Sequence, residues 1–176
     1  MDVDQIPATK AKRNLAAFER QYRRWVAPVY RYCRYRVNND KEAEDLTSQV
    51  FLKVYEQLPN YTEQGQFPAW LFTIVRNQVT DHYRADPPVV PLEGLDLGSD
   101  QAGLLEKTAQ SEDLKRLSRL IQSLPDPEQE LIRLRFVAQL TYKDIAAIQG
   151  STRDAVRKKV SRLLARLHDE MENDHA

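Results

Sequence analysis

Apolar side chains return at three- and four-residue steps through most of this chain, the period of helices with one buried face. In the first such stretch Leu15, Phe18, Tyr22, Trp25, Val26, Val29, Tyr30, Cys33 and Val37 share a face, with Pro28 marking a kink or a junction between two helices. Residues 1 to about 14 are polar and predict a frayed start. Asn38-Asn39-Asp40 breaks the period. Asp40 is the expected N-cap of a second helix, whose first turn carries Glu42, Glu44 and Asp45, the sign the helix dipole favours there. That helix should bury Ala43, Leu46, Val50, Phe51, Val54 and Leu58, and expose Asp45, Ser48, Gln49, Lys53 and Glu56. Pro59 and Asn60 end it, and a polar loop runs from Asn60 to Gln66. The stretch FPAWLFTIVRNQVTDHYR then predicts a third helix with Trp70, Leu71, Ile74, Val75, Val79 and Tyr83 toward the core.

From Asp86 to about Glu112 the period lapses. Pro87, Pro88, Pro91, Gly94, Gly98 and Gly103 read as a linker, although Leu92, Leu95, Leu97, Leu104 and Leu105 are apolar enough to dock on a surface. Leu114, Leu117, Ile121 and Leu124 restart the helical period. Asp126-Pro127-Glu128-Gln129 predicts a helix start, with Asp126 as N-cap, proline first in the helix and Gln129 as reciprocal cap partner. That helix is expected to bury Leu131, Leu134 and Phe136 or their neighbours. A short helix, Tyr142 to Ile148, follows a Thr141 cap. After a turn at Gly150, Thr152 caps a final helix to about Glu170, with Ala155, Val156, Val160, Leu163, Leu164 and Leu167 on its apolar side. The pattern predicts an all-α chain of two small helical domains. They span residues 15–85 and 113–170, are joined by the linker 86–112, and are flanked by tails 1–14 and 171–176.

The 176 residues are 41% hydrophobic and 30% charged, the balance of a soluble globular protein. Their 26 Lys and Arg cancel 26 Asp and Glu, so attraction to nucleic acid cannot rest on total charge and must be local. It is strongly local. Between positions 153 and 166 of the final helix, Arg153, Arg157, Lys158, Lys159, Arg162 and Arg166 stand against Asp154 alone, whereas Asp86, Glu93, Asp96, Asp100, Glu106 and Glu112 stand against Lys107 alone in the linker. Cys33 is the one cysteine, read as a buried reduced thiol in a cytoplasmic setting. No apolar run approaches the ~20 residues that span a bilayer, so no membrane insertion is expected. The N-terminus has no apolar segment of a signal peptide. His82, His168 and His175 lack ligand-like spacing with Cys33 or with acids, and neither a phosphate loop nor a nucleophile elbow is present. The expectation is a non-enzyme with no metal and no cofactor.

The chemistry that remains is recognition. A short helix, a glycine turn and a basic helix form a helix-turn-helix pattern. With Val156, Val160, Leu163 and Leu167 facing inward, Thr152, Arg153, Arg157, Lys158, Lys159, Ser161, Arg162 and Arg166 are left for a DNA groove. Arginine's paired donors suit guanine, and lysines suit phosphates. A merely solvated basic face is the plainer alternative, and the preceding helix and turn weigh against it.

The strings AEDLTSQVFLKVYEQLPNY and FPAWLFTIVRNQVTDHYR, followed by LPDPEQELIRLRFVAQLTYKDIAAIQG and the basic helix, resemble the extracytoplasmic-function class of bacterial RNA polymerase sigma factors. The likeness runs from about Phe18 to Leu167 and occurs in two separate modules. It implies two helical domains, region 2 and region 4, that together direct transcription initiation. Region 4 would read the −35 element through the basic helix. Region 2 would read and melt the −10 element through Asn60, Tyr61, Thr62, Glu63 and Gln64 of the loop, with Arg76, Asn77 and Arg84 (and His82) of the next helix. Tyr61 is either a stacking platform for a flipped base or tucked into the core, and Asn77 is either a DNA contact or a buried amide. Asp45, Leu46, Ser48, Gln49, Leu52 and Lys53 would dock on the clamp helices of the largest polymerase subunit, and the flap of the second-largest subunit is a further expected contact. An anti-sigma factor is an expected partner beside core polymerase and promoter DNA. The elements lie about 17 base pairs, roughly 58 Å, apart, and about 27 linker residues reach roughly 90 Å.

The chain departs from the family pattern in places. Ser48-Gln49 stands where many relatives have Gln-Glu. Ala85-Asp86 follows Arg84 where many have a basic run, and Lys158-Lys159 stands where Ser-Arg is frequent. Two other readings are weighed beside the sigma factor: a sigma-like decoy that titrates an inhibitor without touching DNA, and a stand-alone helix-turn-helix regulator.

Overall fold

A computed structural model describes residues 8–37, 39–62, 66–85 and 106–173, and every regular element among them is helical. The first bundle comprises α1 (Ala8–Arg36), α2 (Asp40–Gln57) and α3 (Phe67–Ala85), with a 3-10 turn at Leu58–Asn60 closing α2. Helix α1 starts inside the stretch expected to fray and passes through Pro28 as one continuous element. The break before α2 is capped by Asn39, not Asp40: Asn39 Oδ1 accepts from the Glu42 amide at 2.8 Å. Asp40 is already helical, and its carboxylate is taken by Arg34 Nε at 2.5 Å.

The bundle closes on Val29, Tyr32, Cys33, Ala43, Leu46, Val50, Val54, Leu71, Phe72, Val75 and Val79, all essentially removed from water. Phe72 sits at the centre, meeting Tyr32 edge-on at 5.7 Å and Trp25 at 6.3 Å. Cys33 is buried as expected. That burial, only partly opposed by a Thr47 hydrogen bond, pushes its thiol up to about 11.

The second bundle comprises α4 (Glu106–Ser123), α5 (Asp126–Ile132), α6 (Tyr142–Gln149) and α7 (Arg153–Asn173). Helix α4 begins within the stretch read as linker. Residues 86–105, where the linker's prolines, glycines and docking leucines fall, lie outside the described residues. Pro125 precedes α5, Asp126 is its first residue, and no side chain caps it. Gln129 instead turns back on α4, its amide donating to the Gln122 and Leu124 carbonyls at 3.0 and 2.8 Å.

After α5 the chain makes a π-turn, Arg133–Val137, closed by Ala138 N to Arg133 O at 2.9 Å. A π-turn inserts an extra residue and rotates the helix face. Leu134 is therefore buried as expected, but Phe136 is 47% exposed and Arg133 is buried in its place. Leu140, Ile145, Val156, Val160, Leu163 and Leu167 complete this core. Leu164, expected on the apolar side of α7, is exposed.

The two bundles also touch. Helix α1 packs on the π-turn, and α3 packs on α6.

Candidate nucleic-acid interface

The candidate recognition element is held by three local devices. Thr141 and Asp144 form a capping box at α6, each side chain bonding the other's backbone N–H at 3.2 Å. Gly150 ends α6 in the left-handed conformation at φ 61, which a residue with a Cβ adopts only at a cost. Thr152 Oγ1 then accepts from the Ala155 amide at 3.2 Å and starts α7.

Val156, Val160, Leu163 and Leu167 anchor α7 with 5% or less of their surface exposed. Thr152, Arg153, Arg157, Lys158, Lys159, Ser161, Arg162 and Arg166 are all exposed, so the structure brings this predicted set onto one accessible helix. Lys158, Ser161 and Arg162 project opposite the buried stripe, and the others flank them. Arg157 is only loosely paired, 3.9 Å from Asp154 with both side chains well solvated. Arg166, at the far end, is engaged by Glu128 of α5.

The first bundle's predicted DNA residues fare unevenly. Asn60 and Thr62 are exposed at the end of the 3-10 turn, while Glu63 and Gln64 lie outside the described residues. Tyr61 is half-buried against Phe67 (5.5 Å) and Trp70 (4.6 Å), closer to the core alternative than to a free stacking platform. Asn77 is exposed, not the buried amide that one reading allowed. Arg84 is exposed beside Asp81 at 3.6 Å. His82 is partly exposed, 3.9 Å from Glu42. Arg76 is turned toward the other bundle, its Nε 3.1 Å from Glu130 Oε1.

On α2, Asp45, Ser48, Gln49, Leu52 and Lys53 are exposed, with Leu52 at 60%. Leu46 is 1% exposed and belongs to the core; its place on the helix turns it inward, so it cannot touch a partner. Ser48 and Leu52 border a groove of about 340 Å³ floored by Phe18, Tyr22, Phe51 and Tyr55. Tyr22 and Tyr55 were not singled out from the sequence, because at helical spacing they look like ordinary core positions. The sequence reading also passed over Tyr32, Glu130 and Arg133. The signal available was three charged residues, Glu130, Arg133 and Arg135, in the otherwise apolar run ELIRLRFV.

The arrangement defines a class: a two-bundle protein, helical in every regular element among the described residues, carrying a basic helix-turn-helix. Family models for Sigma-70 region 2 and Sigma-70, region 4 match residues 21–86 and 114–167. The ECF RNA polymerase sigma factor SigD of Mycobacterium tuberculosis is 34% identical over 151 residues, covering 81% of this chain and 71% of that one. The ECF RNA polymerase sigma factor BldN of Streptomyces coelicolor is 34% identical over 158 residues, and the match covers 86% of this chain but 60% of BldN's length. The solved structure of the sigma factor RpoE with the anti-sigma factor NepR from Bartonella quintana aligns over 89% of this chain and 97% of that one, with TM-score 0.63 and 23% identity, a likeness of fold. The chain belongs to the extracytoplasmic-function group of the sigma-70 family.

Proposed function

We propose that this chain is an alternative sigma factor: it binds RNA polymerase core and directs it to promoters. Its second bundle reads the −35 element, and its first reads and melts the −10 element. The observation that carries this reading is the α7 surface, where Arg153, Arg157, Lys158, Lys159 and Arg162 are exposed together on a helix anchored by a buried apolar stripe. In a chain of zero net charge, that concentration supports a DNA reader and weighs against a decoy.

Within α7, Lys158, Ser161 and Arg162 enter the groove most directly, and Thr152 and Arg153 place the helix N-terminus on a phosphate. In the first bundle, Asn60, Thr62, Asn77 and Arg84 are accessible for the displaced strand. Glu63 and Gln64 follow Thr62 in sequence, and a base held by these residues stabilises promoter opening by binding energy alone. Polymerase docks along Asp45, Ser48, Gln49, Leu52 and Lys53, with the neighbouring aromatic groove giving an apolar contact beside a polar ridge. The flap of the second-largest subunit meets the second bundle.

The chain supplies address and melting, and the polymerase supplies the chemistry. It acts in the cytoplasm; among the described residues no helix is long and apolar enough to cross a membrane. RpoE of Bartonella quintana is described in complex with the anti-sigma factor NepR, and CnrH in complex with the cytosolic domain of CnrY. An anti-sigma partner is proposed here by analogy. The test is in vitro transcription with sigma-free core on fragmented genomic DNA. Discrete promoter-dependent transcripts are expected, and their absence from every template would refute the reading.

A further inference from the structure

Helix α1 has the largest excess of positive charge among the described elements: nine Lys or Arg stand against Glu19 alone, whereas α7 sets six against four acids. Three of the nine are used inside the protein. Arg34 is taken by Asp40. Arg36 lies 3.8 Å from Asp126 and 3.9 Å from Glu130, a carboxylate that Tyr32 and Arg76 also reach, at 2.7 and 3.1 Å. Arg31 Nε donates to the Val137 carbonyl at 3.1 Å. Arg20, Arg23 and Arg24 are not drawn inward. All three are exposed and, with Ala16 and Glu19, line a shallow hollow on the outer side of α1. Arg23 is paired only with Glu19, one helical turn away, and both side chains are well solvated, so the pair contributes little. Among the described residues neither Arg20 nor Arg24 has a carboxylate partner; Arg24 lies over the Trp25 ring at 5.4 Å.

Helices α1 and α2 run antiparallel: Tyr30 meets Asp40 at one end at 3.3 Å, and Phe18 meets Tyr55 at the other at 5.2 Å. The N-terminal half of α1 therefore lies beside the 3-10 turn Leu58–Asn60, on which α1 packs. Asn60 opens the loop proposed to hold a base of the displaced strand. Trp25, beneath Arg24, meets Phe72 of α3, and Tyr61 rests on Phe67 and Trp70 of the same first two turns. The arginine face thus borders the start of that loop.

The composition of this face decides what it can hold. A stable protein interface is centred on aromatic or aliphatic anchors, with charge at its rim. The aromatics Phe18 and Tyr22 of α1 turn the other way, toward Phe51 and Tyr55 of α2, and Ala16 is the one apolar residue lining the hollow. Solvated arginines without carboxylate partners suit phosphates. Arg20 and Arg24 are about 6 Å apart along the helix, so they can hold two successive phosphates of one strand. We propose that Arg20, Arg23 and Arg24 form a further nucleic-acid contact, which holds backbone phosphates of the displaced single strand beside the base taken up by the loop after Asn60. The identity of that strand rests on the sigma-factor reading; the phosphate contact itself does not. Such a contact adds sequence-independent affinity to the opened state, so part of the cost of unstacking is offset away from the loop that reads the base.

The test uses holoenzyme, assembled from core and the full chain, on two labelled DNAs: a fork whose displaced strand extends past the upstream duplex as a single-stranded tail, and the same duplex without the tail. Fluorescence anisotropy is read at several salt concentrations. Each single-strand phosphate contact contributes about 0.7 to the slope of log affinity against log salt, so Arg20→Ala/Arg24→Ala should lower the slope on the fork by about 1.4. Between 50 and 200 mM salt the unmutated protein should then lose about sevenfold more affinity for the fork than the double variant. On the tail-free duplex the two should match. Arg20→Lys/Arg24→Lys, which keeps both charges, should retain the slope on the fork. Both positions are exposed and alanine favours a helix, so the fold is kept in each variant.

Equal slopes on the fork would overturn the proposal, as would an equal loss of slope on the tail-free duplex. Weaker binding of the alanine variant to core without DNA, with the fork slope unchanged, would overturn it in favour of an acidic polymerase surface. Core that fails to bind the unmutated chain would remove the sigma-factor reading. The free chain on a mixed-sequence single-stranded oligodeoxynucleotide would then judge α1: a slope lowered by about 1.4 in the alanine variant sustains the phosphate contact, and an unchanged slope overturns it.

Discussion

Replacing Lys158 and Lys159 together by alanine removes two exposed charges from α7 and leaves its buried stripe of Val156, Val160, Leu163 and Leu167 intact. Alanine is the best helix former, so the helix itself should not weaken. If each lysine holds one phosphate, the slope of log affinity against log salt falls by about 0.9 per contact, or about 1.8 for the pair. Between 50 and 200 mM salt, the unmutated protein should then lose about twelvefold more affinity than the double variant. Arg166→Ala is the internal control. Its guanidinium is already engaged by Glu128, so its slope should change by much less than one contact. The assay is fluorescence anisotropy of holoenzyme on a labelled duplex carrying the upstream element, titrated at several salt concentrations. Parallel salt lines for the unmutated and double-variant proteins would refute phosphate contact by this face. So would an Arg166 variant that loses as much slope as the lysine pair.

Other consequences are smaller in scope. Gly150→Ala should destabilise the chain by about 1 kcal/mol from the left-handed backbone alone, since an added methyl meets nothing within 4 Å; thermal melting measures it. Leu163→Ala removes a side chain 4% exposed and should cost about 2–5 kcal/mol in denaturant titration. The Cys33 thiol is raised from 9.0 to about 11 by burial. A raised acid contributes stability fully below the unfolded value and loses it as pH rises toward the folded one, so that contribution should disappear between pH 9 and 11. Iodoacetamide should correspondingly label the native thiol slowly until that range, and fast labelling at pH 8 would contradict its burial.

The helices and their faces were legible because burial imposes a period on sequence. The stripes on α2, α3 and α7 and the exposed polar sets opposite them follow directly from spacing. Caps were less secure. Asn39 and Asp40 are adjacent and chemically equivalent as caps, so the boundary moved by one residue. At α5 the proline in Asp126-Pro127 suggested a cap that the chain does not use, because Asp126 is drawn toward Arg133 at 3.3 Å. Phe136 was misplaced because a π-turn breaks the helical period without any residue that announces it. The Glu130 cluster was invisible for a different reason. Its partners Tyr32, Arg36 and Arg76 are remote in sequence, and only packing of the bundles shows that a charge inside an apolar run has somewhere to go. Of the candidate DNA set, the α7 residues could be read from one helix alone. Arg76 and Tyr61 could not, because each is held by a neighbour from another element.

Association with polymerase tests the central claim most directly. Purified bacterial core lacking any sigma subunit should bind the full chain one to one, and the complex should protect a discrete upstream and downstream promoter element on DNA. Core that forms no complex with a chain whose helical content is intact would contradict the account.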